Sequence, residues 1–406
     1  MPLKMPVAPP RYNEKMRRIY MDANATTPLL PEVFEAMRPF FIESFGNASS
    51  IHHFGQRARA AVEHAREQVA ALLHCRPAEI VFTSCGTESD NTAIFGILRP
   101  GDHLITTSIE HHAVLHAAEK AETRGVAVTI LSVGPSGVVD PAEVRAALRP
   151  NTKLISIMMA NNETGVIQPV AEIGKIAAEA GVTFHTDAVQ AAGKIPIDVA
   201  SIGCHLLSIS GHKFHGPQGI GVLYVRRGTH FEPLTFGGSH ERQRRAGTEN
   251  VPGIVGLGKA CEIALAALTD GTDDRLGHLR DRLEHGLLTR VDECGVNGAD
   301  QSRVPNTTNI YFDHLEGEAL VIALDLKGLA VSGGSACSSG SPEPSHVLNS
   351  MGISQDRARA SLRFSLSRLT TEEEVDAALE LVPGAVAHLR ELSPVYKKHM
   401  AETAAK

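Results

Sequence analysis

Seven short runs rich in β-branched and apolar residues recur between residues 80 and 225: Ile80–Thr83, His103–Thr107, Ala127–Val133, Leu154–Met159, Val182–Thr186, Leu206–Ser210 and Gly221–Val225. Helix-periodic stretches lie between several of them, at Asp90–Leu98, His112–Arg124, Pro141–Leu148 and Ala171–Ala180. Alternation of the two periods predicts an α/β fold, because parallel strands need helical crossovers that a bundle or a β-sandwich does not use. In open sheets of this kind ligands collect outside the carboxyl ends of the strands. The residues just after each apolar run are therefore the ones to read for chemistry.

The second part of the chain differs. After Gly253–Gly258 come charged helical stretches, Lys259–Leu268 and Asp274–Val291, and the chain is expected to pass from one domain to another near there. Beyond Pro305 the pattern predicts strand Thr308–Phe312, helix Gly317–Lys327, a Gly/Ser-rich loop at Ser332–Ser341, strand Ser361–Ser365 and a last helix after Thr370. Lys397–Lys406 is expected to fray. The length, 406 residues, suits two or more domains. Lys and Arg number 39 against 46 Asp and Glu, a net charge of −7, which argues against a dedicated nucleic-acid binder. Met1–Tyr20 has no continuous apolar core, so no secretory signal is expected, and no run approaches the roughly 18 apolar residues of a membrane helix. Six cysteines without a Cys-x-x-Cys pair suggest neither a zinc ribbon nor a disulfide framework, which points to a reducing, cytoplasmic setting.

Several strand ends carry candidate chemistry. Leu206–Ser210 runs into Gly211-His212-Lys213, and Val182–Thr186 into Asp187-Ala188-Val189-Gln190. A lysine and an aspartate at neighbouring strand ends are the pair a pyridoxal phosphate site requires, the amine for a Schiff base and the carboxylate to keep the pyridine nitrogen protonated. The same two residue types also serve as an ordinary salt bridge. Ile80–Thr83 leads into Ser84-Cys85-Gly86-Thr87-Glu88-Ser89, glycine and hydroxyls at a helix start, which suits either a phosphate or a plain helix cap. Ser210 and His212 stand at the next phosphate-facing position. His111, after His103–Thr107, offers an imidazole for ring stacking or proton transfer. His112 and His116 have the i,i+4 spacing of a metal pair but no third ligand in sequence. Asn162 and Glu163 follow Leu154–Met159 and either line a pocket or build a turn.

In Val331–Ser341, Cys337 stands alone among Gly and Ser, the surround of a thiol that must travel. The other five cysteines lie mostly in or beside apolar or helical runs, where the residue behaves as a small hydrophobe. Gly253-Ile254-Val255-Gly256-Leu257-Gly258-Lys259-Ala260 copies a phosphate-loop spacing but lacks the final hydroxyl and a preceding strand, and reads as a tightly packed apolar helix. Arg242-Gln243-Arg244-Arg245 reads as a solvated or anion-contacting loop.

Together these segments resemble the cysteine desulfurases, pyridoxal-phosphate enzymes of the class V aminotransferase-like group, and most closely the nitrogen-fixation type, NifS. The resemblance runs from about Ile19 to Pro394 and rests on Asp22-Ala23-Asn24-Ala25-Thr26-Thr27, Phe45-Gly46-Asn47, Thr83-Ser84-Cys85-Gly86-Thr87-Glu88-Ser89-Asp90, His185-Thr186-Asp187-Ala188-Val189-Gln190, Ser210-Gly211-His212-Lys213, Arg245-Ala246-Gly247-Thr248-Glu249-Asn250 and Ser335-Ala336-Cys337. It departs from the usual pattern at Ala23, Gly333 and Ser338, while Cys85 leans toward the nitrogen-fixation branch.

The resemblance implies the aspartate-aminotransferase-like (type I) fold of pyridoxal-phosphate transferases: a leader at 1–18, a large domain at 19–270 with a mainly parallel seven-stranded sheet, and a smaller α+β domain at 271–406 that carries the catalytic cysteine loop. The first residues after the leader are expected to pack on the smaller domain. It further implies that Lys213 bonds the cofactor, Asp187 pairs its pyridine nitrogen, Gln190 meets the ring hydroxyl and His111 stacks on the ring as acid–base group. Gly86, Thr87, Ser210 and His212 match a phosphate cup, Thr248 a residue reaching the partner subunit's cofactor in a homodimer, and Asn162 and Arg363 the holders of the substrate carboxylate. The implied reaction turns L-cysteine into L-alanine and leaves sulfur on Cys337 as a persulfide for an iron–sulfur scaffold protein (NifU/IscU-like), with nitrogenase maturation one destination the resemblance allows. No intrinsic metal site is expected; an iron–sulfur cluster is met only through the Cys337 persulfide. A selenocysteine lyase or another class V enzyme is the alternative, and neither nucleic acid nor membrane is expected as a partner.

Overall fold

The computed structural model describes residues 18–333 and 344–404. All seven apolar runs of the first part become strands of one sheet, in the spatial order Ile80–Thr83, Gly221–Val225, Leu206–Ser210, Thr183–Asp187, Thr152–Ser156, His103–Thr107, Ala127–Leu131. Only Gly221–Val225 is antiparallel to its neighbours. Ten residues separate it from Ser210, too few for the dozen or more that a parallel crossover needs, so the chain turns back on itself. The central strands are mostly buried, as helices on both faces require, while the edge strand Ala127–Leu131 is half-exposed.

Two long helices, His53–Leu72 and Val251–Asp270, pack face to face on this sheet. The small residues of Gly253–Gly258 lie inside the second helix and permit the approach: a Cβ on Gly258 would stand 2.7 Å from Ala65 Cα, and one on Gly256 2.5 Å from Met37 Sδ. The phosphate-loop spacing is thus a packing device. The same helix is apolar enough over its length to cross a membrane, with mean hydropathy 1.6, yet Ile254, Leu257, Ala260 and Cys261 are core residues here.

A second hydrophobic cluster gathers Leu276, Leu283, Ile310, Phe312, Phe364 and Val382 around a four-stranded antiparallel sheet, ordered Ser332–Gly333, Ser361–Ser365, Thr307–Phe312, Cys294–Val296. Ile19 and Met21 belong to this cluster, and Ile19–Tyr20 pairs in parallel with Leu329–Ala330. The helix Glu372–Leu392 starts with the capping box that Thr371 and Glu374 spell out. Its successor corrects one expectation: Lys397–Ala404 continue a helix, Pro394–Ala404, rather than a frayed tail. Pro394 presets the first helical turn, and Ser393 Oγ and O accept the N–H groups of Tyr396 and Lys397.

Candidate active site

Five strand ends of the large sheet open into one cleft of about 210 Å³, well beyond the roughly 30 Å³ of a water molecule. Lys213 ends the single 3-10 turn Gly211–Lys213 that follows Leu206–Ser210. Its ammonium donates to Asn24 O at 2.8 Å and Ala25 O at 2.9 Å. Asp187 closes the neighbouring strand, and its Oδ1 accepts the Val189 N–H at 2.8 Å. Burial pushes the Asp187 carboxyl up, while that N–H and Lys213 pull it back down.

Three more predicted groups meet them. His111 caps the helix His112–Glu122, taking the Ala113 N–H on Nδ1 at 3.1 Å, so the neutral ring carries its proton on Nε2. Burial, helped by Lys213, pushes the imidazolium down to about 4, and the ring is neutral near pH 7. Gln190 donates from Nε2 to Asn24 O at 3.0 Å. His212 shares a hydrogen bond with Thr26 Oγ1 at 3.1 Å and is likewise pushed down to about 4.

The helix Gly86–Ile97 points its N-terminus at the cleft, and Cys85 contributes no side-chain cap there. A Cβ on Gly86 would stand 2.8 Å from Val189 Cγ2 and 3.6 Å from Ser210 Cβ. Glycine therefore keeps this end of the cleft open. Three buried oxygens of cleft residues, Ser210 Oγ, Asn162 Oδ1 and Asp90 Oδ1, have no hydrogen-bond partner.

Other predicted residues lie elsewhere. Glu163 is buried against Ser345, whose hydroxyl donates to it at 2.5 Å, and does not line the cleft. Arg363 is buried in the small sheet, donating to Asn162 O at 2.9 Å and to Asp22 Oδ1 at 2.7 Å, with Nε unpaired. Thr248 is exposed and does not border the cleft of its own chain. Cys337 and its loop lie outside the described residues. Within the Arg242–Arg245 run, Arg245 pairs with Glu88 at 2.8 Å and Arg244 donates to Ile80 O, so the run is anchored to the fold rather than freely solvated. His112 and His116 stack ring on ring, 4.9 Å apart at 6°, and among the described residues no third metal-capable donor converges with them.

Four residues in or behind the cleft were not singled out by sequence. Asp90, on the buried face of its helix, borders the cleft with Oδ1 unpaired, and burial together with Asp187 holds it well above the usual aspartate value. Met158 supplies apolar wall. Asn24 and Lys194 stand behind Gln190: Lys194 Nζ donates to Gln190 Oε1 at 2.6 Å and Asn24 Oδ1 at 2.9 Å. Burial pushes the Lys194 ammonium well below its ordinary value, with Lys213 and Arg363 adding to the effect. The quoted motifs contained Asn24 and Asp90, but only the fold shows what each faces.

Comparison with known proteins is consistent with this geometry. The family described as Aminotransferase class-V matches residues 19–378. A cysteine desulfurase from Trichormus azollae is 53% identical over 382 residues, covering 93% of this chain and 95% of its own length. The cysteine desulfurase IscS from Methanosarcina thermophila is 51% identical over 386 residues, covering 94% and 95%. Among solved structures a NifS-like protein superposes with a TM-score of 0.84 at 37% identity, covering 92% of this chain and all of that one. The chain belongs to the class-V aminotransferase family and, within it, to the cysteine desulfurases.

Proposed function

We propose that this chain binds pyridoxal 5′-phosphate in the cleft, takes sulfur from L-cysteine to leave L-alanine, and passes it through Cys337 to an iron–sulfur scaffold protein. One observation carries the reading: Lys213, the buried Asp187 carboxyl and two unpaired buried oxygens, Ser210 Oγ and Asn162 Oδ1, belong to one cleft beside a helix N-terminus. An unpaired buried polar atom costs about 1–3 kcal/mol, a cost that a bound polar ligand removes. The residues therefore fit the cofactor. When bound, pyridoxal phosphate supplies an electron sink for the substrate's α-carbon.

Each residue then has a task. The first turn after Gly86, with Thr87, Ser210 and His212, holds the phosphate, where N–H groups and the helix dipole favour an anion. Asp187 holds a proton at the pyridine nitrogen, and Gln190 Nε2, with one hydrogen committed to Asn24 O, has a second for the ring hydroxyl. His111 covers the ring face and can donate from Nε2. Lys213, as a neutral amine, removes the α-proton at Nζ. Asn162 and Arg363 form the substrate end, with the guanidinium fork suited to a carboxylate. The Cys337 thiolate attacks the substrate sulfur, the carbon–sulfur bond breaks with its electron pair left on the substrate carbon, which takes a proton to become the methyl of L-alanine, and a persulfide forms on the protein. Thr248 is assigned to the cofactor of the second subunit of a homodimer. We also infer two units, 19–270 and 271–406; the second main hydrophobic cluster draws mostly on residues after 271, with Ile19 and Met21 joining it, while the first also takes in Val304, Val347, Leu348, Met351 and Ala358. A cytoplasmic, reducing setting suits the chemistry, since Cys75, Cys85, Cys204, Cys261 and Cys294 are free thiols.

The test uses purified protein supplied with pyridoxal phosphate. Lys213→Ala is expected to lose the visible absorption of the bound cofactor. Cys337→Ala is expected to keep it but release no sulfide from L-cysteine with a reductant. Sulfide release by Cys337→Ala at the parent rate removes Cys337 from the reaction, and faster turnover of selenocysteine than of cysteine favours the lyase alternative.

A further inference from the structure

Among the described residues, Glu293, His314 and His399 are the one trio of metal-capable side chains whose donor atoms all lie within 4.8 Å of one another. They come from three separate segments: the turn after helix Arg275–Arg290, the end of strand Thr307–Phe312, and the helix Pro394–Ala404. Glu293 Oε1 stands 2.7 Å from His399 Nε2 and 3.6 Å from His314 Nε2. Two imidazoles and a carboxylate around a tetrahedral zinc ion, bound at about 2.0–2.2 Å, stand about 3.3 Å apart, between the two observed separations. The first must open by about 0.6 Å and the second close by about 0.3 Å, the two histidine donors lie within 4.8 Å of each other, and one of the stacked rings must turn for both nitrogens to face the ion.

The scaffold beneath the trio is built to hold it. Seven described non-glycine residues have positive φ, and two of them are Glu293 (φ 50°) and His314 (φ 71°). Left-handed backbone at such residues costs roughly 1–3 kcal/mol each and persists only where the surroundings impose it. Here Arg390 imposes it. Its guanidinium, 5% exposed, donates to Asp292 O at 2.8 Å, Glu293 O at 3.0 Å and Asp313 O at 3.0 and 3.1 Å. The Asp313 N–H adds a bond to Glu293 O at 2.9 Å. Both segments are thereby locked backbone to backbone, and their side chains converge on the C-terminal helix. The His314 and His399 rings stack 4.2 Å apart at 21°, and Tyr396 packs against His314 from the preceding turn of that helix.

We propose that Glu293, His314 and His399 form a binding site for a borderline divalent transition ion, zinc or cobalt, with the remaining coordination positions open to water. Two neutral imidazole nitrogens and one carboxylate suit such ions better than magnesium or calcium, which prefer all-oxygen shells. The ion fastens the C-terminal helix to the edge of the small sheet, because its ligands come from both. The other histidine group, His112, His116 and His346, has no carboxylate in it, and His346 Nε2 is occupied by Glu110 O at 2.9 Å.

The proposal is independent of the cofactor reading and is tested on the full-length protein, chelator-treated and free of cysteine. Calorimetric titration with Zn2+ is expected to show one site per chain, and Co2+ a visible spectrum of nitrogen and oxygen ligation. His314→Ala, His399→Ala and Glu293→Gln should each weaken binding at least tenfold. Zn2+ should slow proteolysis within Pro394–Ala404 in the parent and not in His399→Ala, an exposed substitution that spares the core. No saturable binding, or equal binding by all three variants, overturns the site.

Discussion

Glu110 lies fully buried one residue before His111. Its Oε1 accepts the Thr107 hydroxyl at 2.6 Å and the Met158 N–H at 3.0 Å, while Oε2 has no partner. Burial pushes this carboxyl from 4.5 up to about 8, with Asp187 adding to the rise and the two hydrogen bonds opposing it. Between those two pH values the folded protein keeps a proton that the unfolded chain has lost. Glu110 therefore stabilises fully below about pH 4.5, and its contribution drains away as the pH rises through about 8. At about 1.4 kcal/mol per pH unit the loss amounts to about 5 kcal/mol. Glu110→Gln keeps the Oε1 bonds and cannot ionise. Its unpaired Nε2–H groups lower stability by about 1–3 kcal/mol at every pH, so the informative quantity is the slope. Urea midpoints followed by circular dichroism at about pH 5, pH 7 and pH 8.5 should show the variant gaining on the parent by several kcal/mol across the range. Parallel pH dependence of parent and variant would refute the argument, because it would mean that Glu110 titrates in the fold as it does in water.

Lys194→Met removes the donor that orients the Gln190 amide, and a loss of about 1.4 kcal/mol would raise the dissociation constant for pyridoxal phosphate about tenfold, read by equilibrium dialysis with the urea midpoint as control. Arg66 and Glu241 form a bidentate pair, 2.8 Å on both arms, with each side chain 3% exposed. Arg66→Met alone should cost about 3–5 kcal/mol by stranding the buried carboxylate, and adding Glu241→Gln should recover part of it in the same denaturation assay. Gly174→Ala would place a Cβ 1.9 Å from Ile202 O; overpacking of about 1–3 kcal/mol should lower the midpoint while cofactor binding stays unchanged.

The strands were legible because most are short buried runs rich in apolar and β-branched residues, and Ile80–Thr83, His103–Thr107, Leu206–Ser210, Gly221–Val225 and Ser361–Ser365 fall where the pattern puts them. Lys213, Asp187, His111 and Asn162 were legible for a related reason: strand ends converge in an α/β sheet, so chemistry written just after a strand meets other chemistry. The reversal of Gly221–Val225 was not read, since composition is blind to direction. The C-terminal helix was missed because its support comes from residues distant in sequence, Glu293 and His314, and its own stretch is polar.

Asn24 marks the same limit more sharply. Asp22–Thr27 is one of the motifs that carry the resemblance, yet nothing local in it shows that the segment joins the two sheets at the cleft. On one side Ala23 and Asn24 donate their N–H groups to Ser365 O and Oγ, and Asp22 binds Arg363. On the other, the Asn24 carbonyl accepts from both Gln190 and Lys213, Thr27 N–H bonds His212 O, and Thr26 meets the His212 ring. A displacement of the small sheet is therefore transmitted through a few residues of extended chain to the lysine and glutamine of the cleft. Coupling of this kind needs a contiguous physical link, and here each link is a named hydrogen bond. The first described residues of the chain thus tie Arg363 to Lys213, so the spacing of the two depends on a strand pairing that begins at Ile19.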